Sequence, residues 1–301
     1  MRRVLVTGAS GLIGTPACRQ LIKQGFDVHA VTAKSEPPSD ESGICWHRAD
    51  LLDADQVVRV LEEVRPADLL HLAWETTPPG YWTSERNFDW VQVSMQMIRH
   101  FHQFGGQRVV VAGTCAEYSW EHGLCSEDRT PMKPTSLYGA CKLALQQMLA
   151  AYSRQVGLSS AWGRVFFLYG PGEAPNRLVP SVIRSLLQGE EAACTHGRQI
   201  RDYLYVEDVA DAFVRLLRSD VQGPVNIASG QPVTLREVVL QIAEGIGRPE
   251  LLQIGRIAVR NGEPPLIVAD VKRLREEVGW VPRYSLDEGL RETIQHLEGR
   301  L

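Results

Sequence analysis

The stretch RRVLVTGASGLIG, residues 2–14, joins a short apolar run to a glycine-rich turn and decides the fold. The apolar run predicts a buried strand over residues 3–7, and the pattern after the turn predicts a helix to about Gly25. The turn carries three glycines in the spacing GxxGxxG: Gly8, Gly11 and Gly14. In such a turn the first glycine permits the tight bend, the second lets a pyrophosphate approach the backbone, and the third lets helix and strand pack closely. The unit therefore predicts a dinucleotide-binding site.

Apolar runs and helical segments alternate along the first 170 residues. Further strands are predicted at 26–33, 44–50, 67–74, 107–114 and 159–170, and helices at 54–64, 86–105 and 137–156. Apolar strands separated by helices are typical of a parallel sheet covered on both faces. The sequence therefore predicts an α/β fold, a Rossmann-type doubly wound parallel sheet.

The pattern changes after Gly170. A helix is predicted at 178–188, short strands at 192–195 and 201–206, and later helices behind two capping boxes, Thr234 with Glu237 and Ser285 with Glu288. We predict a dinucleotide-binding domain over residues 1–170 and a smaller α+β substrate lobe over 171–301, with the chain crossing between the lobes.

Composition limits the function classes. The 301 residues are 44% apolar and 23% charged, as in an ordinary globular protein. A net charge of −4 gives no basic surface for nucleic acid or an anionic membrane, and no apolar run approaches the ~18 residues that span a bilayer. The start of the chain does not resemble a signal peptide. Six cysteines without CxxC or Cys/His ligand spacing predict free thiols, no metal site and a cytoplasmic protein.

The stretch TSLYGACK, residues 135–142, places Tyr138 four residues before Lys142. On a helix these side chains lie on one face, ~6 Å apart. A buried ammonium would stabilise phenolate and lower the pKa of the tyrosine, which would then serve as an acid and base. The alternative is a surface helix that carries both residues without catalytic use.

Motifs along nearly the whole chain resemble those of the extended short-chain dehydrogenase/reductases, the superfamily of NAD(P)-dependent nucleotide-sugar epimerases, dehydratases and reductases. They occur in the family's order. The matching segments are TGASGLIG (7–14), AD (49–50), HLAW (71–74), Thr114, YGACK (138–142), RVFFLYGPG (164–172), NRLVP (176–180), RDYLYVEDVADA (201–212), NIASG (226–230) and GW-P-SLDEGL (279–290).

The resemblance implies roles for three residues. Tyr138 would be the acid and base, Lys142 would lower its pKa and hold the nicotinamide ribose, and Thr114 would bond to the substrate oxygen. The cofactor-binding positions would be Thr7, Gly8, Gly11, Leu12, Ile13, Gly14, Thr32, Lys34, Asp50, Leu51, Leu72, Ala73, Trp74, Tyr138 and Lys142.

The end of the second strand bears on the choice of cofactor. NAD-binding members carry an acidic residue there that bonds the ribose 2′-OH. This chain has Thr32 and Lys34, with no acid before Glu36. A carboxylate would repel a 2′-phosphate, whereas these residues would bind one, so NADP(H) is favoured over NAD(H). Lys34 could instead be a solvated loop residue.

On the substrate side, the resemblance implies that Asn176, Arg201 and Arg260 contact the nucleotide diphosphate. The planar guanidinium can pair two phosphate oxygens. Each of the three could instead serve in a structural ion pair. Phe167 stands where the family usually has Asn in R-x-x-N-x-Y-G, so the identity of the substrate does not carry over from the family.

The residues after Thr114 distinguish between reactions. Dehydratases of the family usually carry Asp-Glu there, but this chain has Cys115 and Ala116, which argues against a 4,6-dehydratase. Cys115 could donate a proton, although packing as a small buried hydrophobe is favoured. The leading hypothesis is reduction of a nucleotide-linked 4-keto-6-deoxysugar, and the alternative is a nucleotide-sugar 4-epimerase with tightly bound NAD. A non-catalytic dinucleotide sensor is disfavoured, because Thr114, Tyr138 and Lys142 are all present.

The segment 74–90, WETTPPGYWTSERNFDW, is rich in aromatic residues. These rings could form a platform for the sugar above the nicotinamide, or they could pack at a dimer interface. The resemblance implies a homodimer formed by the helices at 86–105 and 137–156.

Overall fold

The computed structural model describes residues 1–34, 43–77 and 80–300. Its strands are β1 (Arg3–Thr7), β2 (Asp27–Thr32), β3 (Ile44–Arg48), β4 (Asp68–His71), β5 (Arg108–Thr114), β6 (Leu124–Cys125), β7 (Ser159–Val165), β8 (Phe167–Tyr169), β9 (Ala192–Cys194), β10 (Ile200–Tyr205), β11 (Gly223–Ile227), β12 (Pro232–Thr234), β13 (Leu252–Ile254) and β14 (Leu266–Ala269). Its helices are α1 (Gly14–Lys23), α2 (Ala54–Val64), α3 (Arg86–Gln103), α4 (Leu137–Val156), α5 (Leu178–Leu187), α6 (Val206–Arg218), α7 (Leu235–Ile246), α8 (Lys272–Glu276) and α9 (Leu286–Glu298).

A large parallel sheet forms the centre of the fold, with strands in the order β11-β7-β5-β4-β1-β2-β3. Successive side chains of β1 point to opposite faces of the sheet. Val4 and Val6 therefore pack in the core on one face, and Leu5 packs in the core on the other. Helices α1 and α6 cover the first face, and α2, α3 and α4 cover the second. The predicted Rossmann-type doubly wound fold is confirmed.

The predicted single strand over 159–170 is wrong, because the structure divides it into two. β7 stays in the large sheet between β5 and β11, whereas β8 pairs with β10 in a second sheet. Phe166 lies between them, buried in the core. The apolar run continues through the crossing because β7 is buried and β8 is partly buried, so the sequence carries no sign that the chain changes sheets.

The second lobe is built on the sheet β12-β10-β14-β6 and the pair β13-β9, with α5, α7 and α9 packed on a third core. Both predicted capping boxes are present at the starts of α7 and α9. Strand β11 returns to the large sheet beside β7, so a segment beyond residue 170 completes that sheet. The domain division at residue 170 stays a prediction.

Two features concern the candidate functional site, which we expect where the lobes meet. Leu12 of the glycine turn packs against the core of the second lobe, and Gly172 lies next to it. The carboxyl ends of β1, β4 and β5 lie side by side at the same edge of the sheet. Among the described residues, no helix combines the length and apolarity needed to cross a bilayer.

Candidate active site

The glycine turn is closed by backbone contacts that leave no room for side chains. Gly8 has φ +69°, and a Cβ there would lie 2.7 Å from the backbone nitrogen of Ala73. A Cβ on Gly14 would lie 2.0 Å from the carbonyl oxygen of Gly8. The amide of Gly11 donates to the same carbonyl at 2.9 Å. Glycine is therefore required for the turn to close against both the helix and the end of β4.

The start of α1 supplies a second feature of a dinucleotide site. No described side chain caps this helix, and its first turn carries no acidic residue. The positive end of the helix dipole therefore remains available to an anion. The sheet order also reverses direction between β1 and β4, the position where open α/β sheets bind ligands. These residues fit the pyrophosphate of a dinucleotide.

A buried histidine joins the ends of β1 and β4. The Nδ1 of His71 lies 2.6 Å from the Thr7 hydroxyl, and its Nε2 lies 2.8 Å from the Ser94 hydroxyl. Burial lowers the pKa of His71 to about 3, with a smaller contribution from Lys142. His71 is therefore neutral and holds Thr7 in place beside the glycine turn. The sequence analysis missed this role, since nothing in the HLAW motif shows what the ring contacts.

The positions expected to discriminate between cofactors lie at the ends of β2 and β3. Thr32 is buried, and its hydroxyl accepts from the backbone N–H of Lys34 at 3.2 Å, while Lys34 itself is exposed. Asp50 is exposed, and its carboxylate accepts from the N–H of Leu52. Glu36 lies outside the described residues.

Thr114 and Tyr138 are brought together by close packing of α4 on β5. Ser136 caps α4, accepting from the N–H of Gly139 at 3.1 Å, which places Tyr138 in the first turn. A Cβ on Gly139 would lie 2.3 Å from the carbonyl oxygen of Ala116. Glycine at this position therefore lets the helix approach the turn that follows Thr114 at the end of β5.

The pKa values of Tyr138 and Lys142 differ from those that the sequence predicts. Burial raises the pKa of Tyr138, and hydrogen bonding with Thr114 opposes only part of that rise. Burial lowers the pKa of Lys142 to about 7. Lys142 Nζ donates to the carbonyl oxygen of Ala112 at 2.8 Å and lies 3.8 Å from the centre of the Trp74 ring. The expectation that Lys142 lowers the pKa of Tyr138 is wrong for this arrangement, because the ammonium faces other groups.

Aromatic rings from the tryptophan-rich segment surround Tyr138. The rings of Tyr81 and Trp82 lie 5.0 and 5.6 Å from the phenol ring, and Trp74 lies 6.5 Å away. Trp120 packs edge-on against Trp82. Pro78 and Pro79 of the same segment lie outside the described residues. The site is thus enclosed by apolar ring faces, which explains why burial dominates the pKa of Tyr138.

A buried ion pair supports the turn after Thr114. Glu117 is fully buried and accepts from the backbone N–H of Thr114 at 2.8 Å and from Trp162 Nε1 at 2.9 Å. Arg164 Nε donates to its other oxygen at 2.7 Å. The sequence analysis missed this pair, because its two members lie 47 positions apart in the chain.

The neighbours of Thr114 carry no free acid. Both oxygens of Glu117 are engaged by the indole of Trp162 and the guanidinium of Arg164. Cys115 is buried in the core, and burial raises the pKa of its thiol. The interpretation of Cys115 as a small packed hydrophobe therefore suits its surroundings better than a role as proton donor.

The three predicted substrate residues lie in different surroundings. Arg201 is buried and pairs with Glu263 at 3.0 Å, while its guanidinium lies 5.3 Å from the Phe167 ring. Asn176 and Arg260 are exposed.

The sequence analysis missed two further residues, Arg177 beside Tyr81 and Glu173 near Arg177. Arg177 donates to the Tyr81 hydroxyl at 3.5 Å. Burial raises the pKa of Glu173 to about 8, and its Oε2 has no hydrogen-bond partner among the described residues. Both lie in the loop before α5, for which the sequence shows no periodic pattern.

Comparison with known proteins agrees with this geometry. Residues 4–228 match the NAD dependent epimerase/dehydratase family. The chain belongs to this family. It is accordingly an NAD(P)-dependent enzyme of the extended short-chain dehydrogenase/reductase type.

Individual relatives carry out different reactions. The chain is 26% identical to a UDP-glucose 4-epimerase of Corynebacterium glutamicum, over 94% of this chain and 92% of the relative. It is 27% identical to a dTDP-glucose 4,6-dehydratase of Neisseria gonorrhoeae, over 98% and 95%. A solved UDP-glucose 4-epimerase of Thermus thermophilus in complex with NAD superposes with a TM-score of 0.85, with 27% identity over 99% of this chain and 100% of that one. Membership in the family thus leaves the reaction open.

The buried lysine predicts a pH dependence of stability. Burial holds the pKa of Lys142 at about 7 in the folded chain, against 10.5 for a free lysine. Between these values the unfolded chain binds more protons, so the contribution of Lys142 to stability is fully present above pH 10.5 and is lost as the pH falls to about 7. Relative to Lys142→Met, the wild type should gain roughly 5 kcal/mol in free energy of unfolding over this range.

Denaturant unfolding of cofactor-free protein at several pH values measures this difference. Lys133→Met, which removes an exposed lysine just before α4, serves as the control. Its free energy of unfolding should differ from that of the wild type by the same amount at every pH. If Lys142→Met also differs from the wild type by a constant amount at every pH, the titration assigned to Lys142 is wrong.

Proposed function

We propose that the protein reduces the keto group of a nucleotide-linked 4-keto-6-deoxysugar. Bound NADPH would supply the hydride. The protein would supply the proton from the Tyr138 hydroxyl to the carbonyl oxygen, and Thr114 would hold that oxygen at the end of β5. The observation that carries the proposal is the placement of Tyr138 beside Thr114, at the same edge of the sheet as a glycine turn that fits a pyrophosphate.

The protonation state of Tyr138 suits a proton donor. Because burial raises its pKa, the phenol carries its proton near neutral pH and can donate it when negative charge develops on the carbonyl oxygen. Lys142 holds the helix that carries Tyr138 against β5, because its Nζ donates to the carbonyl oxygen of Ala112. The reaction consumes one hydride and one proton for each carbonyl reduced.

The surroundings of Thr114 argue against dehydration. Elimination needs an acid and a base beyond the tyrosine. The nearest carboxylate along the chain, Glu117, is bound to Arg164, and the Cys115 thiol is buried. Although dTDP-glucose 4,6-dehydratases are among the relatives, the described site holds no free acidic pair next to Thr114.

The substrate class rests on the relatives and on the aromatic rings. The relatives named above act on UDP- or dTDP-linked glucose. We assign the rings of Tyr81 and Trp82 to a platform for the sugar, because they lie against the Tyr138 ring and a deoxysugar presents an apolar face to such rings. Asn176 and Arg260 are proposed to contact the diphosphate. Arg201 could contact it only by giving up part of its pairing with Glu263.

A 4-epimerase with tightly bound NAD is the second candidate. Two of the relatives named above are UDP-glucose 4-epimerases, one of them solved with NAD. An epimerase would use the same tyrosine first as base and then as acid. The two reactions differ in whether the cofactor is consumed.

Assembly and location stay predictions. We retain the homodimer formed by α3 and α4, which is supported by the exposed side chains of Phe88 and Met148 on these helices. We also retain the cytoplasmic location that the free cysteines predict.

Turnover with the substrate class tests the leading proposal. The wild type should oxidise NADPH in proportion to the nucleotide-linked 4-keto-6-deoxysugar that it reduces, measured by the absorbance of the reduced nicotinamide. Tyr138→Phe keeps the ring and removes the proton, so kcat should fall by about 10²–10⁴-fold. The matched control is Tyr152→Phe, farther along the same helix, which should leave kcat unchanged.

Interconversion of two 4-epimers by the wild type without net loss of NADPH would favour the second candidate. Full turnover by Tyr138→Phe would exclude the proposed role of the tyrosine in either reaction.

The preference for NADPH rests on Thr32 and the exposed Lys34. An ion pair between Lys34 and the 2′-phosphate should contribute on the order of 1–3 kcal/mol, so Lys34→Ala should weaken binding of NADPH and leave NADH binding unchanged. Titration of both cofactors into apo-protein measures the ratio of affinities. Lys23→Ala, on the last turn of α1, is the control for charge alone. Equal affinities of the wild type for both cofactors would refute the preference.

A further inference from the structure

Three metal-ligating side chains meet on the outer two strands of the large sheet. His29 lies on β2, and Cys45 is its partner in register on β3. His47 follows two residues after Cys45, so both project from the same face of the strand. One ligand atom from each of the three residues lies within 4.8 Å of the other two.

No pattern along the chain indicates this cluster. Cys45 and His47 are separated by a single residue, and His29 lies on another strand, so no recognised metal-binding spacing appears in the sequence. Pairing of β2 with β3 brings His29 next to Cys45, although the two residues are far apart along the chain. The expectation that the protein has no metal site rests on spacing along the chain alone.

We propose that His29, Cys45 and His47 bind Zn²⁺. A thiolate and two imidazoles are a ligand set that this ion takes in proteins, usually with a fourth position in a tetrahedron. The Nδ1 of His29 and the Nε2 of His47 lie 2.8 Å apart. Two zinc-bound nitrogens lie about 3.3 Å apart in tetrahedral geometry, so the rings need to separate by only about 0.5 Å.

Carboxylates lie behind both imidazoles. Asp27 Oδ2 is 3.5 Å from His29 Nε2, and Glu63 Oε1 is 3.9 Å from His47 Nδ1. Histidine ligands of zinc commonly donate their second N–H to a carboxylate, which orients the ring and raises its basicity. His29 Nε2 is buried without a hydrogen-bond partner among the described residues. Zinc on Nδ1 would fix a proton on Nε2 and give it Asp27 as an acceptor.

Burial and access also suit an ion. The side chains of His29 and His47 are 14% and 10% exposed, whereas Cys45 is exposed and forms the entrance. His47 also lines an open pocket with Glu63 and Arg59, where water could fill the fourth position.

The site would stabilise the edge of the sheet. Among the described residues, strand β3 is the outermost strand of the large sheet and pairs only with β2. An ion held by both strands binds the folded chain and not the unfolded one, so it raises the melting temperature. Strand β2 also ends at Thr32, next to the proposed cofactor contacts, although the metal site does not depend on the proposed function.

Metal binding by the full chain without a histidine tag tests the proposal. Titration with Zn²⁺ should give one equivalent per chain and a higher Tm. Co²⁺ should give the thiolate-to-metal charge-transfer absorption of a cysteine ligand. Cys45→Ser, at an exposed position, should remove that absorption and weaken Zn²⁺ binding at least about tenfold. His296→Ala, which removes a histidine on α9, is the control and should bind as the wild type does.

A second variant tests the carboxylate behind the ring. Glu63→Gln should weaken Zn²⁺ binding about tenfold, the lower end of the effect of such partners, because Glu63 is exposed. Glu62→Gln, the neighbouring exposed acid on α2, should have no effect. The proposal is overturned if Cys45→Ser binds Zn²⁺ as tightly as the wild type, or if the Co²⁺ complex lacks the thiolate absorption.

Discussion

The geometry of the candidate active site depends on one buried charge, the carboxylate of Glu117. It has no contact with water, and its partners are the backbone N–H of Thr114, the indole of Trp162 and the guanidinium of Arg164. A carboxylate removed from water is tolerated only when such partners surround it. Thr114 lies on β5, and Trp162 and Arg164 lie on the neighbouring strand β7. The hydrogen bonds that these residues donate to Glu117 therefore fix the turn after Thr114 between the two strands.

The same constraint extends into the second lobe. Arg164 donates to the Tyr118 hydroxyl at 3.0 Å, and that hydroxyl donates to Asn226 on β11 at 2.7 Å. The amide of Asn226 in turn donates to the backbone oxygens of Cys125 and Asp270. The network thus joins the large sheet to β6 and to the residue that follows β14. A buried polar network with every member bonded holds a single arrangement, which a site that must align a proton donor requires.

The placement of Tyr138 follows from this fixed turn. Gly139 lets α4 contact the carbonyl of Ala116, and Lys142 donates to the carbonyl of Ala112 on β5. The helix is therefore held against the end of β5 at two points about one turn apart. Tyr138, in the same first turn, faces Thr114 on one side and the aromatic rings on the other. An enclosed site of this kind strengthens the interaction of the phenol with developing charge on a carbonyl oxygen.

The sequence predicts those features that are local in the chain. The glycine turn and the helix with Tyr138 and Lys142 follow from spacing of a few residues, and the capping boxes follow from a four-residue pattern. The contact of Arg164 with Glu117 spans 47 positions, and His29 meets Cys45 only through strand pairing, so no local pattern reveals either. The direction in which the pKa of Tyr138 shifts could not be predicted either, because it depends on burial of the phenol by the rings of Trp74, Tyr81 and Trp82.

Transfer of isotope tests the central claim, net reduction by an external cofactor, most directly. NADPH carrying deuterium at the transferred position is supplied with a nucleotide-linked 4-keto-6-deoxysugar, and the sugar product is examined by mass spectrometry and NMR. The account predicts a product with one deuterium on the former carbonyl carbon and one oxidised cofactor for each sugar formed. A product without deuterium from the added cofactor, formed while the added NADPH stays reduced, would contradict it.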